Sequence, residues 1–272
     1  MRDWDAAFNN MAHVEGSGAL PAFWAARAAE YRATAPVEEG IRYGDHPRER
    51  FDLVWPEGPP KGLAVFVHGG YWMRLDKSFW TDFAEGARVQ GWAVCLPSYT
   101  LAPEARIGVM TGQIARAVMA AAGRVDGPIR LSGHSAGGHL VSRMLCDDSP
   151  LDEATLARIS HTLSISGLHD LRPLLQTKMN ETLHLDTVEA ARESAVLHMP
   201  RTRTNLTTWA GGGELPEFIR QARLLAMMWD GLGARTRCRI DGNHNHFTVI
   251  EGLKDPTSPI TRSLIGSKED MP

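Results

Sequence analysis

Ser135 stands in a segment whose residue types and spacing suit a nucleophile. Residues 129–140 read IRLSGHSAGGHL, which makes Ser135 the serine of a G-x-S-x-G pattern with Gly133 and Gly137. A short apolar run precedes the pattern and an amphipathic stretch follows it, which predicts a sharp strand-to-helix turn that needs small residues at those two positions. Such a turn strains the serine backbone and exposes its hydroxyl. We expect Ser135 to attack a carbonyl carbon; the alternative is a glycine-rich turn with a chance serine.

A second glycine segment, HGGYW at 68–72, would supply the hydrogen-bond donors that this reaction needs. It follows the apolar run LAVFV, and a glycine loop after the third strand of a hydrolase sheet offers backbone N–H groups to a developing oxyanion. Each such donor typically lowers the barrier by ~3–4 kcal/mol. The sequence therefore predicts an oxyanion hole from the amides of Gly70, with Gly69 as neighbour, and Ala136. An ordinary loop with two glycines is the alternative.

A serine hydroxyl needs a base to accept its proton, and this base is expected late in the chain, after the last strand. Residues 236–250 read TRCRIDGNHNHFTVI, a strand pattern followed by a polar loop that carries His244 and His246. Both histidines are candidates. His246 is preferred because it directly precedes an apolar helix start. His244 would then line the pocket or lie on the surface.

Three carboxylates compete for the role of the acid that orients the imidazole. Glu214 follows TTWAGGG at the end of a strand, where glycines allow a tight turn that aims the carboxylate over the sheet edge. Asp170, in SGLHDLRPL, follows an earlier strand, with a helix N-cap as its other reading. Glu217 lies in the first turn of the next helix. We expect Glu214 to be the acid.

Several neighbouring side chains are predicted to line the substrate pocket. Tyr71 and Trp72 follow the glycine pair and should bring aromatic surface to it, with core packing as the alternative for Trp72. His134 and His139 flank Ser135, where pocket-wall or helix-surface roles are favoured because a third metal ligand is missing at a convincing spacing. His244 completes the predicted pocket. The sequence predicts neither a metal nor another cofactor.

The elements that must position these residues alternate along the chain. Short apolar runs predict strands, and amphipathic stretches between them predict helices, for example through Met110, Ile114 and Val118. This alternation is typical of an α/β fold with a mostly parallel sheet and helices on both faces. Residues 41–56 predict two antiparallel strands joined around Gly44–Pro47. The other predicted strands cover 63–67, 92–96, 129–131, 159–166 and 204–209.

We expect one domain over residues 1–272. A helical preamble occupies 1–36, and the irregular stretch 171–202 is either a small lid over the site or an ordinary long connection. The last ~15 residues resemble a loosely held tail.

Composition narrows the class of protein. The chain has 272 residues, of which 43% are hydrophobic and 22% charged, with a formal net charge of -3. Charges are well mixed, so neither nucleic acid nor an anionic membrane is an expected partner, and a small acyl compound is. Cys95, Cys146 and Cys238 lack the spacing of a disulfide framework. No signal peptide or membrane span is visible, which predicts a cytoplasmic protein. Oligomeric state is not indicated.

These motifs together resemble the kynurenine formamidase (arylformamidase) branch of the α/β-hydrolase superfamily. The resemblance rests on HGGYW at 68–72, SYTLAPEA at 98–105, GHSAGGHL at 133–140, SGLHDLRPL at 166–174, ELPEFIRQA at 214–222 and HFTVIEGL at 246–253. It implies an eight-stranded, mostly parallel sheet, a triad of Ser135, Glu214 and His246, and cleavage of N-formylkynurenine or similar small acyl compounds. One departure is the glutamate before PEF, where this branch commonly has aspartate.

Three other readings of the same residues stay open. A carboxylesterase or thioesterase would use the same triad on another substrate. A non-catalytic binding module on a hydrolase scaffold would normally have lost the serine or the histidine, and both are present. A metallohydrolase would use His68, His244 and His246 as ligands.

Overall fold

A central sheet organises the chain, for which a computed structural model describes residues 2–242 and 244–266. Within those residues, eight strands form one sheet. The strands are β1 (Val37–Arg42), β2 (Arg50–Val54), β3 (Leu63–Val67), β4 (Ala93–Pro97), β5 (Ile129–His134), β6 (Ile159–Ile165), β7 (Asn205–Gly211) and β8 (Arg235–Asp241). Their order is β1-β2-β4-β3-β5-β6-β7-β8. β1 and β2 are antiparallel to each other, β2 is antiparallel to β4, and the remaining pairs are parallel.

The eight-stranded, mostly parallel sheet confirms the predicted fold class. Each predicted apolar run corresponds to one strand between β3 and β7, and the antiparallel pair predicted in 41–56 is β1 with β2. β3 shows why such strands are apolar at every position. Val65 and Val67 pack into one core cluster, whereas Ala64 and Phe66 pack into another on the opposite face. Strands covered on both faces read as continuous hydrophobic runs.

Helices cover both faces of the sheet, as the sequence predicts. They are α1 (Trp4–Phe8), α2 (Asn10–His13), α3 (Leu20–Arg32), α4 (Glu85–Val89), α5 (Ile107–Ala122), α6 (Ala136–Arg143), α7 (Glu153–Arg158), α8 (Asn180–Leu183), α9 (Thr187–Arg192), α10 (Pro216–Asp230) and α11 (Pro259–Ile265). Met110, Ile114 and Val118 of α5 are fully buried, so their four-residue spacing marks the face against the sheet. Within the described residues, no helix is long and apolar enough to cross a membrane.

The loose tail expected at the C-terminus is wrong for the part that the structure describes. α11 is capped by Ser258, and its Ile260 and Leu264 pack into the core with Leu253. Residues 267–272 lie outside the described residues. The α-helix expected directly after His246 is also wrong: turns lead into a 3-10 helix at Glu251–Lys254. The side chain of Asn245 accepts from the amides of Phe247 and Thr248 at the start of these turns.

Segment 171–202 contains α8 and α9 between two 3-10 helices, Arg172–Gln176 and Ala195–Leu197. Its C-terminal half is tied to the body by two buried carboxylates. Glu189 accepts from Arg106 Nε at 2.7 Å, and Glu193 accepts from Arg143 Nε at 3.2 Å. Opening this half would leave buried charges unpaired, which is costly. A role of the segment as a lid stays a prediction.

Buried histidines make the free energy of unfolding depend on pH. Burial lowers the pKa of His68 and His139 to about 4. Burial likewise lowers the pKa of His161 and His169 to about 3. An imidazole whose pKa falls on folding is protonated more readily in the unfolded chain, where the ordinary value is about 6.5. The folded state therefore has its full stability above that value and loses stability as the pH falls from there toward 4.

We predict that the free energy of unfolding decreases steadily below about pH 6.5, by up to ~1.4 kcal/mol per pH unit for each buried histidine. Urea unfolding between pH 7.5 and pH 5 measures the slope. His161→Gln should make that slope shallower, because it removes one such group far from the nucleophile turn. His184→Asn, at an exposed position, is the matched control and should leave the slope unchanged. Equal slopes for both variants would contradict the assignment.

Candidate active site

The turn between β5 and α6 holds Ser135 in a strained conformation. Its φ of 55° and ψ of -117° lie where residues other than glycine are rare. The chain tolerates this because the next turn packs tightly against the sheet. A Cβ built on Gly137 would lie 1.9 Å from the carbonyl oxygen of Val67, so only glycine fits there. Since α6 begins at Ala136, the amide of Ala136 has no acceptor within its own helix.

The glycine loop after β3 lies directly against Ser135. A Cβ built on Gly69 would come within 3.0 Å of the Ser135 Cβ. The following three residues have positive φ values of 111° for Gly70, 52° for Tyr71 and 59° for Trp72. Such a run of left-handed residues turns the backbone sharply. The structure thus brings both predicted oxyanion segments, the loop and the start of α6, to the same serine.

A buried carboxylate and imidazole pair lies at the ends of β7 and β8. His246 Nδ1 donates to Glu214 Oε2 at 2.7 Å. The other oxygen, Glu214 Oε1, accepts from Ser166 Oγ and from the Gly211 amide, each at 2.6 Å. Both Glu214 and His246 are buried. Charge-assisted bonds of this kind hold a carboxylate in one orientation and fix the imidazole tautomer.

Ser166 is a residue that sequence reasoning missed. It follows β6 directly, has a φ of 50°, and donates to the carboxylate of a residue 48 positions away. Its place at the carboxyl end of a parallel strand is the one signal that could have indicated it, because functional side chains gather at that edge. A serine at the end of a strand is too common to single out without the fold.

The other two candidate carboxylates, Asp170 and Glu217, bind arginine side chains. Asp170 Oδ1 and Oδ2 accept from Arg172 at 2.8 and 3.1 Å. Glu217 Oε1 and Oε2 accept from Arg220 at 2.6 and 2.9 Å, and Gln221 also donates to Oε1. These two side chains form ion pairs with arginines, whereas the carboxylate of Glu214 pairs with an imidazole.

His134 connects the nucleophile turn to the loop of His246. Its Nε2–H donates to the carbonyl oxygen of His246 at 2.9 Å, and the two ring centroids lie 4.6 Å apart. Burial, together with the neighbouring His246, holds the pKa of His134 well below its ordinary value. His134 is therefore a neutral donor that fixes the backbone of its neighbour. Because His134 immediately precedes Ser135, this contact ties the turn of Ser135 to the loop of His246.

Two predicted pocket residues lie in other environments. His244 is partly exposed, and its Nδ1 lies 3.3 Å from Thr248 Oγ1, which matches the surface alternative. Trp72 is fully buried and packs edge-on against His139 at 5.2 Å between ring centroids, which matches the core alternative. Tyr71 is half-buried and keeps accessible surface.

Within the described residues, His68, His244 and His246 do not form a cluster of metal ligands. Across residues 2–242 and 244–266, ligand atoms lie within 4.8 Å of one another at a single group, Asp147, Asp148 and His198. His246 instead uses its Nδ1 for Glu214, and His68 donates from Nδ1 to the carbonyl oxygen of Gly69 at 2.7 Å.

Comparison with known proteins agrees with this geometry. Residues 64–211 match a family described by the alpha/beta hydrolase fold, and the chain belongs to that family. The kynurenine formamidase of Danio rerio is 27% identical over 83% of this chain and 80% of its own length. That of Salmo salar is 27% identical over 86% of this chain and 83% of its own length. A solved structure from Silicibacter sp. TM1040, described as a candidate thioesterase, is 47% identical, covers 97% of this chain and 99% of that chain, and gives a TM-score of 0.91.

The chain is thus an α/β hydrolase that is similar to kynurenine formamidases. The resemblance read from HGGYW and the segments after it is thereby confirmed. The roles of individual residues follow below as proposals.

We predict that Glu214→Gln lowers kcat/KM for any hydrolysed substrate by about 10²–10⁴-fold, since the amide cannot stabilise the imidazolium. Asp170→Asn is the matched control. It neutralises the carboxylate that pairs with Arg172. This change should alter kcat/KM by less than about threefold. Steady-state kinetics of both purified variants provides the test. A larger loss from Asp170→Asn than from Glu214→Gln would show that the acid is misassigned.

We predict that Ser166→Ala lowers kcat/KM by about tenfold, because a hydrogen bond to a charged group contributes about 1.5–3 kcal/mol. Glu214 would keep the Gly211 amide, so the loss should be smaller than that of Glu214→Gln. Ser160→Ala, at the opposite end of β6 and with a hydroxyl that donates to the carbonyl oxygen of Ile129, is the control. Unchanged kinetics in Ser166→Ala would mean that its hydroxyl does not support the carboxylate.

Proposed function

We propose that this protein cleaves a small aryl formamide, such as N-formylkynurenine, or a short-chain ester through an acyl-enzyme on Ser135. The observation that carries the proposal is the buried Glu214–His246 hydrogen bond of 2.7 Å beside the strained serine turn. A carboxylate that orients an imidazole next to an activated serine is the arrangement required for acyl transfer.

The first step uses groups from four segments of the chain. His246 donates from Nδ1 to Glu214, so its Nε2 is the nitrogen that accepts the Ser135 proton. As the serine oxygen bonds to the carbonyl carbon, negative charge develops on the substrate oxygen. The amides of Gly70, with Gly69 as neighbour, and Ala136 are the proposed donors to that oxygen.

The second step returns the proton. His246, now charged, protonates the leaving amine or alcohol, and the acyl group remains on Ser135. Water activated by the same histidine then releases the acid. An aniline is a poor leaving group, so formamide cleavage depends more strongly on this proton delivery than ester cleavage does.

Two observations bear on the substrate. The curated relatives named above are kynurenine formamidases, which supports an aryl formamide. The Silicibacter protein, described as a candidate thioesterase, has a higher identity and supports a thioester or ester as the second candidate. Both candidates use the same residues, so the reaction class is common to them and the leaving group distinguishes them.

The decisive experiment compares kcat/KM for N-formylkynurenine, p-nitrophenyl acetate and an acetyl thioester. We expect measurable turnover with the formamide and a decrease of about 10⁴-fold or more in Ser135→Ala with every substrate. Ser160→Ala is the matched control and should retain the wild-type rate. Fluorophosphonate labelling should occur in the wild type and disappear in Ser135→Ala. Wild-type activity in Ser135→Ala would remove the serine mechanism, and turnover of the thioester alone would favour the second candidate.

A further inference from the structure

The N-terminal segment, residues 2–14, contacts the elements that carry the active site. Asp5 accepts from the Lys178 amide at 2.7 Å, and His13 Nε2 donates to the carbonyl oxygen of Gly213, directly before Glu214, at 3.0 Å. These bonds tie the segment to stretch 171–202 and to the turn of the proposed acid. Residues far apart in sequence thus share one site.

Tyr71 is held in place by this segment at its hydroxyl group. The Tyr71 hydroxyl donates to the carbonyl oxygen of Phe8, and Asn10 Nδ2 donates to the same hydroxyl at 3.0 Å. Asn10 is 1% exposed, so the bond is shielded from water. These contacts fix a tyrosine whose backbone already has positive φ. Strained residues persist where surrounding contacts determine them in this way.

A chain of aromatic contacts runs from Phe8, whose carbonyl oxygen accepts from the Tyr71 hydroxyl, to His246. The Phe8 ring packs edge-on against Phe218 with 6.1 Å between centroids, and Phe218 packs against the His246 ring at 4.5 Å. Burial and the negative charge of Glu214 raise the pKa of Tyr71, which agrees with a position near that carboxylate. The bond from the Tyr71 hydroxyl to Phe8 thus links Tyr71 to the His246 side of the site.

The leaving group must also lie on the His246 side, because the imidazole protonates it. Phe8 and Phe218 are fully buried, whereas Tyr71 is half-buried and keeps some accessible surface. Aromatic rings attract other aromatic rings beyond simple area burial. An aryl leaving group would find this surface preformed, and a short alkyl group would gain little from it.

We propose that Tyr71 forms the wall on which the leaving group packs and that Asn10 positions Tyr71. Together these two residues give the enzyme a preference for aromatic leaving groups. The inference rests on the proposed function, since it assigns the leaving-group side from the role of His246.

The test keeps the acyl group constant and changes the leaving group. Tyr71→Ala should lower kcat/KM for phenyl and 1-naphthyl acetate by about tenfold relative to ethyl acetate. The ratio between p-nitrophenyl butyrate and p-nitrophenyl acetate should stay within about twofold of wild type, because the acyl side is untouched. Tyr71→Phe and Asn10→Ala should shift the first ratio in the same direction by a smaller factor, mainly through KM for the aryl esters.

Matched controls remove the same groups elsewhere. Tyr31→Phe removes a hydroxyl that donates to Glu85, and Asn205→Ala removes an amide that donates to Ser160. Both should keep wild-type ratios. If Tyr71→Ala does not fold, Tyr71→Phe and Asn10→Ala carry the test.

A changed acyl-length ratio with an unchanged leaving-group ratio would overturn the inference, and so would equal shifts in the controls. Fluorophosphonate labelling distinguishes a failure of the proposed function from a failure of this inference. An unlabelled wild type refutes the proposed function, whereas full labelling with unchanged ratios refutes this inference alone.

Discussion

The close approach of Gly137 to the carbonyl of Val67 is the contact on which the site depends. A Cβ at Gly137 would lie 1.9 Å from that oxygen, so α6 reaches the sheet only because the side chain is absent. This approach forces Ser135 into its unusual backbone conformation and turns it toward the loop that follows β3. Ser135, the proposed nucleophile, and the proposed oxyanion donors are thus arranged by one packing constraint. Preorganised dipoles of this kind need no rearrangement during the reaction.

The second requirement of the site is that the buried carboxylate of Glu214 be surrounded by hydrogen-bond donors. An isolated carboxylate in the interior is strongly unfavourable unless donors surround it. Glu214 receives three donors, from His246, Ser166 and the Gly211 amide, and each comes from a different strand end or loop. Asp170 and Glu217 satisfy the same requirement with arginine partners instead. The partner, rather than the carboxylate itself, distinguishes the proposed acid from residues that stabilise the fold.

Local patterns predicted much of this architecture, and long-range contacts account for what they missed. The strands and the helices α5 and α10 could be predicted from hydrophobic periodicity, since burial on one or two faces sets the spacing of apolar residues in the sequence. Ser135 and its glycines could be predicted because the G-x-S-x-G pattern and the strand and helix patterns beside it lie within one short stretch, residues 129–140. Ser166 bonds to a residue 48 positions away, and Asn10 to one 61 positions away, so neither leaves a local signal. The tail prediction failed because SPITRSLI is short and half polar, whereas tertiary packing decides that Ile260 and Leu264 are buried.

The turn after β7 explains how a glutamate fits at position 214, where the family resemblance implies an aspartate. The turn after β7 folds back so far that Glu214 Oε1 accepts from the amide of Gly211, three residues earlier, while Oε2 reaches His246. The extra methylene gives the carboxylate the reach to bridge both partners. The turn is fixed by backbone bonds as well, since the Gly213 amide donates to the His244 carbonyl oxygen at 2.9 Å and its own carbonyl accepts from His13. The loops of Glu214 and His246 are therefore bound to each other and to the N-terminal segment, so the length of the Glu214 side chain and the position of that segment are parts of one arrangement.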